Sequence, residues 1–290
     1  MEYCEICLTV PPEALEAVTH LLDRAGTGGV VIDDETAAQV RAYLPRDERL
    51  SGRLAALHQD LSDLVNFFPG MSSWRHQEQF VAEEDWANAW RSHFHAIRVG
   101  RRLVVAPTWE EFEPRAGEVV LRLDPGMAIG TGAHASTVLC LRALEDMPLA
   151  GARVLDVGTG SGILAVAAAL LGAAEVRALD IDPLAVRIAR QNAEANGVGD
   201  RVHVCYAELR DLLAEGLTPR QAVTANLTAE VLVTLAPDLA AAMAPGGLVV
   251  TSGIVASRHD AVRQALEGAG LRPVRTSRLE DWLAIWARRR

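Results

Sequence analysis

Val154-Leu155-Asp156-Val157-Gly158-Thr159-Gly160-Ser161-Gly162 decides the fold of this 290-residue chain. An apolar run passes through an acid, breaks into three glycines at alternate positions and then opens a helical pattern. Glycine permits the sharp turn of a strand-to-helix junction and lets a ligand approach backbone that a Cβ would shield. The next apolar run, 176–179, ends at Asp180, 22 residues after Gly158. A carboxylate there predicts a contact to the ribose hydroxyls of a bound nucleoside. A third run, 222–225, ends at Asn226. Three strand tips in one βαβ succession, each carrying a polar group, predict a nucleoside site with a reaction centre beside it.

Working outward, strands are expected over 153–157, 175–179, 202–206, 222–225 and 248–252, with helices over 163–171, 184–195 and 230–243. Such alternation predicts an α/β fold with a doubly wound parallel sheet. Two strands, 102–106 and 118–123, precede a glycine-rich loop, Asp124-Pro125-Gly126-Met127-Ala128-Ile129-Gly130-Thr131-Gly132, and a helix to about residue 145. Two closing strands, 272–278 and 282–287, are expected at the end. The first 82 residues read differently. Cys4 to Val10 alternates like a strand, and Pro11-Pro12 opens a helix that ends at the glycines 26, 28 and 29. Short strands follow over 30–33 and 37–44. Leu50, Leu54, Leu57, Leu61 and Leu64 then form the stripe of an amphipathic helix, and 74–81 supplies a last strand. The order β-α-β-β-α-β is the ferredoxin-like one. Residues 83–98 are expected to form a linker helix, with Trp86, Trp90, His93, Phe94 and Ile97 on one face. The expected domains are therefore 1–82, the linker 83–98, and 99–290.

Half the residues are apolar, yet no run approaches membrane-spanning length. No basic segment followed by an apolar core opens the chain, so a cytoplasmic location without membrane attachment is expected. The net charge of −10 disfavours general phosphate or nucleic-acid binding and suits a basic partner. Cys4-x-x-Cys7 has no companion pair, and residues three apart on a strand point to opposite faces, so the cysteines read as structural. His93 and His95 fall on different faces of their helix. No metal is expected.

The glycine spacing chooses among cofactors. A dinucleotide fingerprint sets its third glycine three residues after the second, whereas Gly160 and Gly162 are two apart, with Asp156 two residues before Gly158. That variant resembles the first motif of class I methyltransferases that use S-adenosylmethionine. The resemblance narrows further. The Trp86-x-x-x-Trp90-x-x-x-Phe94 segment, Val104-Val105-Ala106-Pro107-x-Trp109, the loop from Asp124 through Gly132 to Ala133-His134-Ala135-Ser136-Thr137, Pro183-Leu184-Ala185 and Asn226-Leu227-Thr228-Ala229 span almost the whole length. Together they resemble the bacterial methyltransferases of ribosomal protein L11 of the large subunit.

The resemblance implies an N-terminal ferredoxin-like domain for substrate recognition, a linker helix and a Rossmann-like catalytic domain. It implies S-adenosylmethionine as cofactor and N-methylation of lysine amines of L11, with the N-terminal amine as a further target. Thr137, Gly158, Asp180 and Asn226 become the principal cofactor contacts, with Gly160 and Asp156 beside them. This chain departs from the family at Ile129 (usually phenylalanine), Ser136 (usually threonine) and Leu227-Thr228 (usually Ile-Leu). Asn226 is the expected catalytic residue: its amide oxygen can orient an amine without favouring the charged ammonium. Its alternative roles are to cap the following helix or to bond only the cofactor. His134 is expected to order the loop. A monomer is expected. Two alternatives stay open: an N-methyltransferase for another protein lysine or a small amine, kept alive by Thr228, and an NAD-linked oxidoreductase or nucleotide-binding regulator. All 28 basic residues are arginine. We read the absence of lysine as compositional drift rather than as an enzyme sparing itself.

Overall fold

The computed structural model describes residues 2–27, 30–34, 39–68, 70–71, 74–82, 95–123 and 134–290. The chain divides into two compact units, 1–94 and 95–290.

In the first unit, strands β1 (Glu2–Thr9), β2 (Val30–Asp34), β3 (Gln39–Pro45) and β4 (Arg75–Ala82) alternate with helices α1 (Leu15–Arg24) and α2 (Leu50–Asp63). The sheet order is β2-β3-β1-β4, with every pair antiparallel. That is the split βαβ interleaving the sequence predicts. The leucine stripe does what its spacing requires. Leu57 and Leu61 of α2 are buried against Ile6 and Leu8 of β1, and Leu54 and Leu64 pack on the margin.

The second unit opens with a small sheet of β5 (Ile97–Arg98), β6 (Leu103–Pro107) and β7 (Val119–Leu123). Ile97 thus belongs to a strand paired with Val105, not to the end of the linker helix. Alternate apolar residues there satisfy a pairing edge as readily as a helix face. The expected helix residues 83–94 lie outside the described residues, as does the loop 124–133.

The main sheet comprises β8 (Arg153–Val157), β9 (Glu175–Asp180), β10 (Val202–Tyr206), β11 (Arg220–Asn226), β12 (Met243–Val255), β13 (Leu271–Leu279) and β14 (Trp282–Arg289). Its order is β10-β9-β8-β11-β12-β14-β13. The pairs from β10 to β12 are parallel, and β14 lies antiparallel to both its neighbours. Helices α3 (Ala135–Asp146), α4 (Ile163–Leu170), α5 (Pro183–Ala195), α6 (Leu209–Ala214), α7 (Ala229–Ala242) and α8 (His259–Gly268) connect the strands.

Val154, Leu155 and Val157 are buried because a parallel strand is covered on both faces. Between β8 and β11 the winding changes direction, and ligands of open α/β sheets bind at that crevice. Helix α4 is apolar throughout and buried from Ile163 to Ala169. Its N-cap Gly162 has φ +81°, and a Cβ there would lie 2.9 Å from that of Ala189 on α5. This glycine serves both the left-handed turn and the close approach of the two helices.

Candidate active site

The ends of the five parallel strands meet at one edge. Strand register places Val157 beside Leu179 and Ala225, Asp180 beside Tyr206, and Asn226 beside Ser252. Gly158 follows directly in a left-handed conformation, φ +70°, and its N–H donates to the Leu179 carbonyl at 2.9 Å. Gly160, also left-handed at φ +54°, donates its N–H to Asp180 Oδ2 at 2.9 Å. Asp180 Oδ1 accepts from the Asp182 N–H at 3.0 Å. The carboxylate therefore ties the glycine turn to the next loop. Each bond uses one oxygen, and about four acceptor positions exist on a carboxylate, so capacity remains for two hydroxyls. Asp182 accepts from Leu184 N–H at 2.8 Å and caps α5.

Asp156 holds the turn from behind. It is only 1% exposed, and its oxygens accept from Thr224 Oγ1 at 2.6 Å and Thr159 Oγ1 at 2.7 Å. Burial pushes its carboxyl up to about 6, aided by the negative charge of Asp180, while the two threonine hydroxyls oppose the rise. Sequence reading missed both threonines. Thr224 is the cross-strand partner of Asp156, and Thr159 lies three residues on, so one strand pairing would have revealed them.

Asn226 and Thr137 come together from positions 89 apart: Asn226 Nδ2 donates to Thr137 Oγ1 at 3.2 Å. Thr137 is buried near the start of α3. The bond fixes the amide plane of Asn226 and turns its Oδ1 away from Thr137. The capping alternative has no support, since Thr228 occupies the N-cap of α7 and no side-chain cap bond forms there. Thr228 itself is exposed. The turn after Asn226 is set by β12: Leu227 N–H donates to Ser252 O at 3.1 Å, and a Cβ on Gly253 would collide with the Leu227 backbone carbonyl. Gly253, at φ +82°, is a site residue that no spacing in the sequence marked.

His134 is the N-cap of α3. Its Nδ1 accepts from the Ser136 N–H and lies 2.7 Å from Ser136 Oγ, and its ring meets Trp282 edge-on at 4.7 Å between centroids. Burial holds its imidazole below the ordinary value, with the Glu280 charge pulling the other way. Ser136 and Trp282 thus brace the ring at the start of α3, while the loop that His134 is expected to order, with Ile129, lies outside the described residues.

The residues fit an adenosyl sulfonium. The left-handed glycine turn lies at the switch point with the Leu227 side chain packed where a Cβ of Gly158 would stand, Asp180 offers acceptors at the next strand tip, and Asn226 with Thr137 flanks the other side. The sheet with its antiparallel β14, together with this site, defines a class I methyltransferase dependent on S-adenosylmethionine. The sequence profile of the ribosomal protein L11 methyltransferase family (PrmA) matches residues 2–290. The chain belongs to that family. It is 44% identical to the ribosomal protein L11 methyltransferase of Pelotomaculum thermopropionicum and 41% identical to that of Symbiobacterium thermophilum, covering 99% of each chain in both cases. A crystal structure of the ribosomal protein L11 methylase of Lactobacillus delbrueckii subsp. bulgaricus superposes with a TM-score of 0.63 at 33% identity, covering 68% of this chain and all of that one. The NAD-linked alternative is thereby set aside. Among the described residues no helix is long and apolar enough to cross a membrane.

Proposed function

We propose that this enzyme transfers the methyl group of S-adenosylmethionine to lysine amines of ribosomal protein L11, and to the N-terminal amine of that protein. The observation that carries the reading is the Asn226–Thr137 pair, held at a strand tip beside the glycine turn and Asp180. Bound there, S-adenosylmethionine supplies a methyl carbon made electrophilic by the adjacent sulfonium. The protein's own residues do the rest. Asp180 accepts ribose hydroxyls on the positions left by Gly160 and Asp182, while Gly158 and Gly160 line the turn and Asp156 keeps it rigid.

Direct displacement requires a neutral amine. A free lysine titrates near 10.4, so deprotonation at pH 7 costs about 4.6 kcal/mol. A desolvated site beside a cation lowers that cost. Asn226 Oδ1 and the Leu227 carbonyl can accept the two amine N–H bonds and leave the lone pair directed at the methyl carbon. An amide oxygen does this without stabilising the ammonium form as a carboxylate would.

Residues 1–82 of the first unit are the part we assign to substrate recognition, and the second unit, 95–290, is assigned to catalysis. We further infer a cytoplasmic monomer that binds no nucleic acid directly. The test is incubation with labelled S-adenosylmethionine and purified L11, followed by mass-spectrometric location of the label. Label on L11 amines supports the reading. Label on another ribosomal protein, or none with L11, removes it. Asn226→Ala should depress turnover at least 100-fold while changing S-adenosylhomocysteine affinity less than about fivefold, because orientation acts mainly in the transition state. Unchanged turnover removes the assignment of Asn226.

A further inference from the structure

The first unit contains a constellation that methyl transfer does not use. His58 lies on α2, and His76 and Glu78 lie two apart on β4. β4 is an edge strand, and its pairing sets His76 opposite Leu8 and Glu78 opposite Ile6. Paired residues of an antiparallel ladder share a face. Ile6 and Leu8 are buried against Leu57 and Leu61, so His76 and Glu78 point to the α2 side, where His58 stands. The three potential ligand atoms all lie within 4.8 Å of one another.

Two details set this group apart from an ordinary surface ion pair. His58 Nε2 is 2.7 Å from Glu78 Oε1, yet the buried nitrogen has no hydrogen bond, because the approach is off the line that a bond needs. His76 completes the cluster, its ring 4.7 Å from that of His58 and stacked on Trp74 at 5.1 Å. Two imidazoles and a carboxylate are drawn together where one imidazole would satisfy the acid.

We propose that His58, His76 and Glu78 bind a borderline first-row divalent cation, zinc foremost, pinning edge strand β4 to helix α2. Zinc takes imidazole nitrogen at about 2.0–2.1 Å and carboxylate oxygen at about 2.0–2.2 Å in a tetrahedron, so ligand atoms need separations of roughly 3.3 Å. The His58–Glu78 edge is already shorter than that. The widest edge closes by rotation of His76, which is exposed. Three protein ligands leave a fourth position for water or for a group from another molecule. The site is independent of the methyl-transfer reading, so either can fail without the other.

The test uses the full chain, stripped by a chelator, titrated with Co2+ and then with Zn2+ in the same sample. One equivalent of Co2+ should give visible ligand-field bands of tetrahedral strength, displaced by Zn2+. Zn2+ should also raise the thermal midpoint. His58→Asn, His76→Asn and Glu78→Gln should each weaken binding at least tenfold and abolish the thermal shift, whereas Asp180→Asn should leave both unchanged. Should His58→Asn fail to fold, the two variants on the exposed edge strand decide the matter. Absence of the visible bands, equal binding in His76→Asn and Glu78→Gln, or a near-ultraviolet thiolate band from cysteine ligation would each overturn the proposal.

Discussion

Replacing Asp156 by asparagine tests the architecture of the glycine turn through pH. The native carboxyl is buried, bonded to Thr224 and Thr159, and pushed up to about 6 from an ordinary 3.8. Threonine hydroxyls donate or accept, so an asparagine can keep both contacts with one hydroxyl reversed. The folded protein then holds a proton at this site over a range where the unfolded chain has released it. Stability from this group is therefore fully present below about pH 4. It declines as the pH rises, and is lost above about 6. The gap between about 6 and 3.8 corresponds to about 3 kcal/mol over the whole range, of which about 1.3 kcal/mol falls between about pH 5 and 7. Asparagine does not titrate, so the unfolding free energy of the parent minus that of Asp156→Asn should fall by that amount across the window. Urea unfolding at several pH values, followed by near-ultraviolet circular dichroism, measures it. A difference that stays constant within about 0.3 kcal/mol from about pH 5 to 7 would refute the raised carboxyl and its desolvated setting.

The remaining expectations concern the site itself. Asp180→Asn retains one acceptor oxygen where two are used, so one tie to the glycine turn is lost together with part of the ribose contact. A charge-assisted bond is worth about 1.5–3 kcal/mol, and calorimetry should find S-adenosylhomocysteine bound about 10- to 100-fold more weakly; a change under threefold would contradict the role. Gly253→Ala places a Cβ against the Leu227 backbone in a left-handed conformation, which no side-chain rotation relieves. Its thermal midpoint should drop by several degrees, and kcat should fall more than cofactor affinity. His134→Gln should slow turnover by a ratio that does not vary across about pH 7 to 9, because burial lowers the imidazole from its ordinary value and favours the neutral ring. A ratio that varies with pH would make His134 a proton carrier.

The strand tips were legible because parallel strands buried on both faces leave uninterrupted apolar runs, and each run ends where chemistry begins. Val154–Val157, Asp180 and Asn226 all lie where those runs predict. The leucine stripe of α2 was equally plain. Helices α6 and α8 escaped: the first spans only Leu209–Ala214, and the second buries just Val262 and Leu266. Neither presents enough apolar periodicity to read. The Asn226–Thr137 bond, the Thr224–Asp156 contact and the fit of Gly253 against Leu227 are long-range facts that exist only once the strand order is known. Local spacing names the ends of elements and is silent about which ends meet. The His58–His76–Glu78 cluster was hidden for the same reason, since a helix and an edge strand 18 residues apart supply it.

The double duty proposed for Asp180, latching Gly160 and accepting from the nucleoside, has a consequence for turnover. That latch is formed when the chain folds rather than when the ligand arrives, so little of its ordering entropy falls on the binding step. Everything it grips, however, is common to the donor and to the spent thioether left after reaction. A receptacle built this way welcomes both, and the enzyme's pace in a cell depends on how quickly that by-product is cleared.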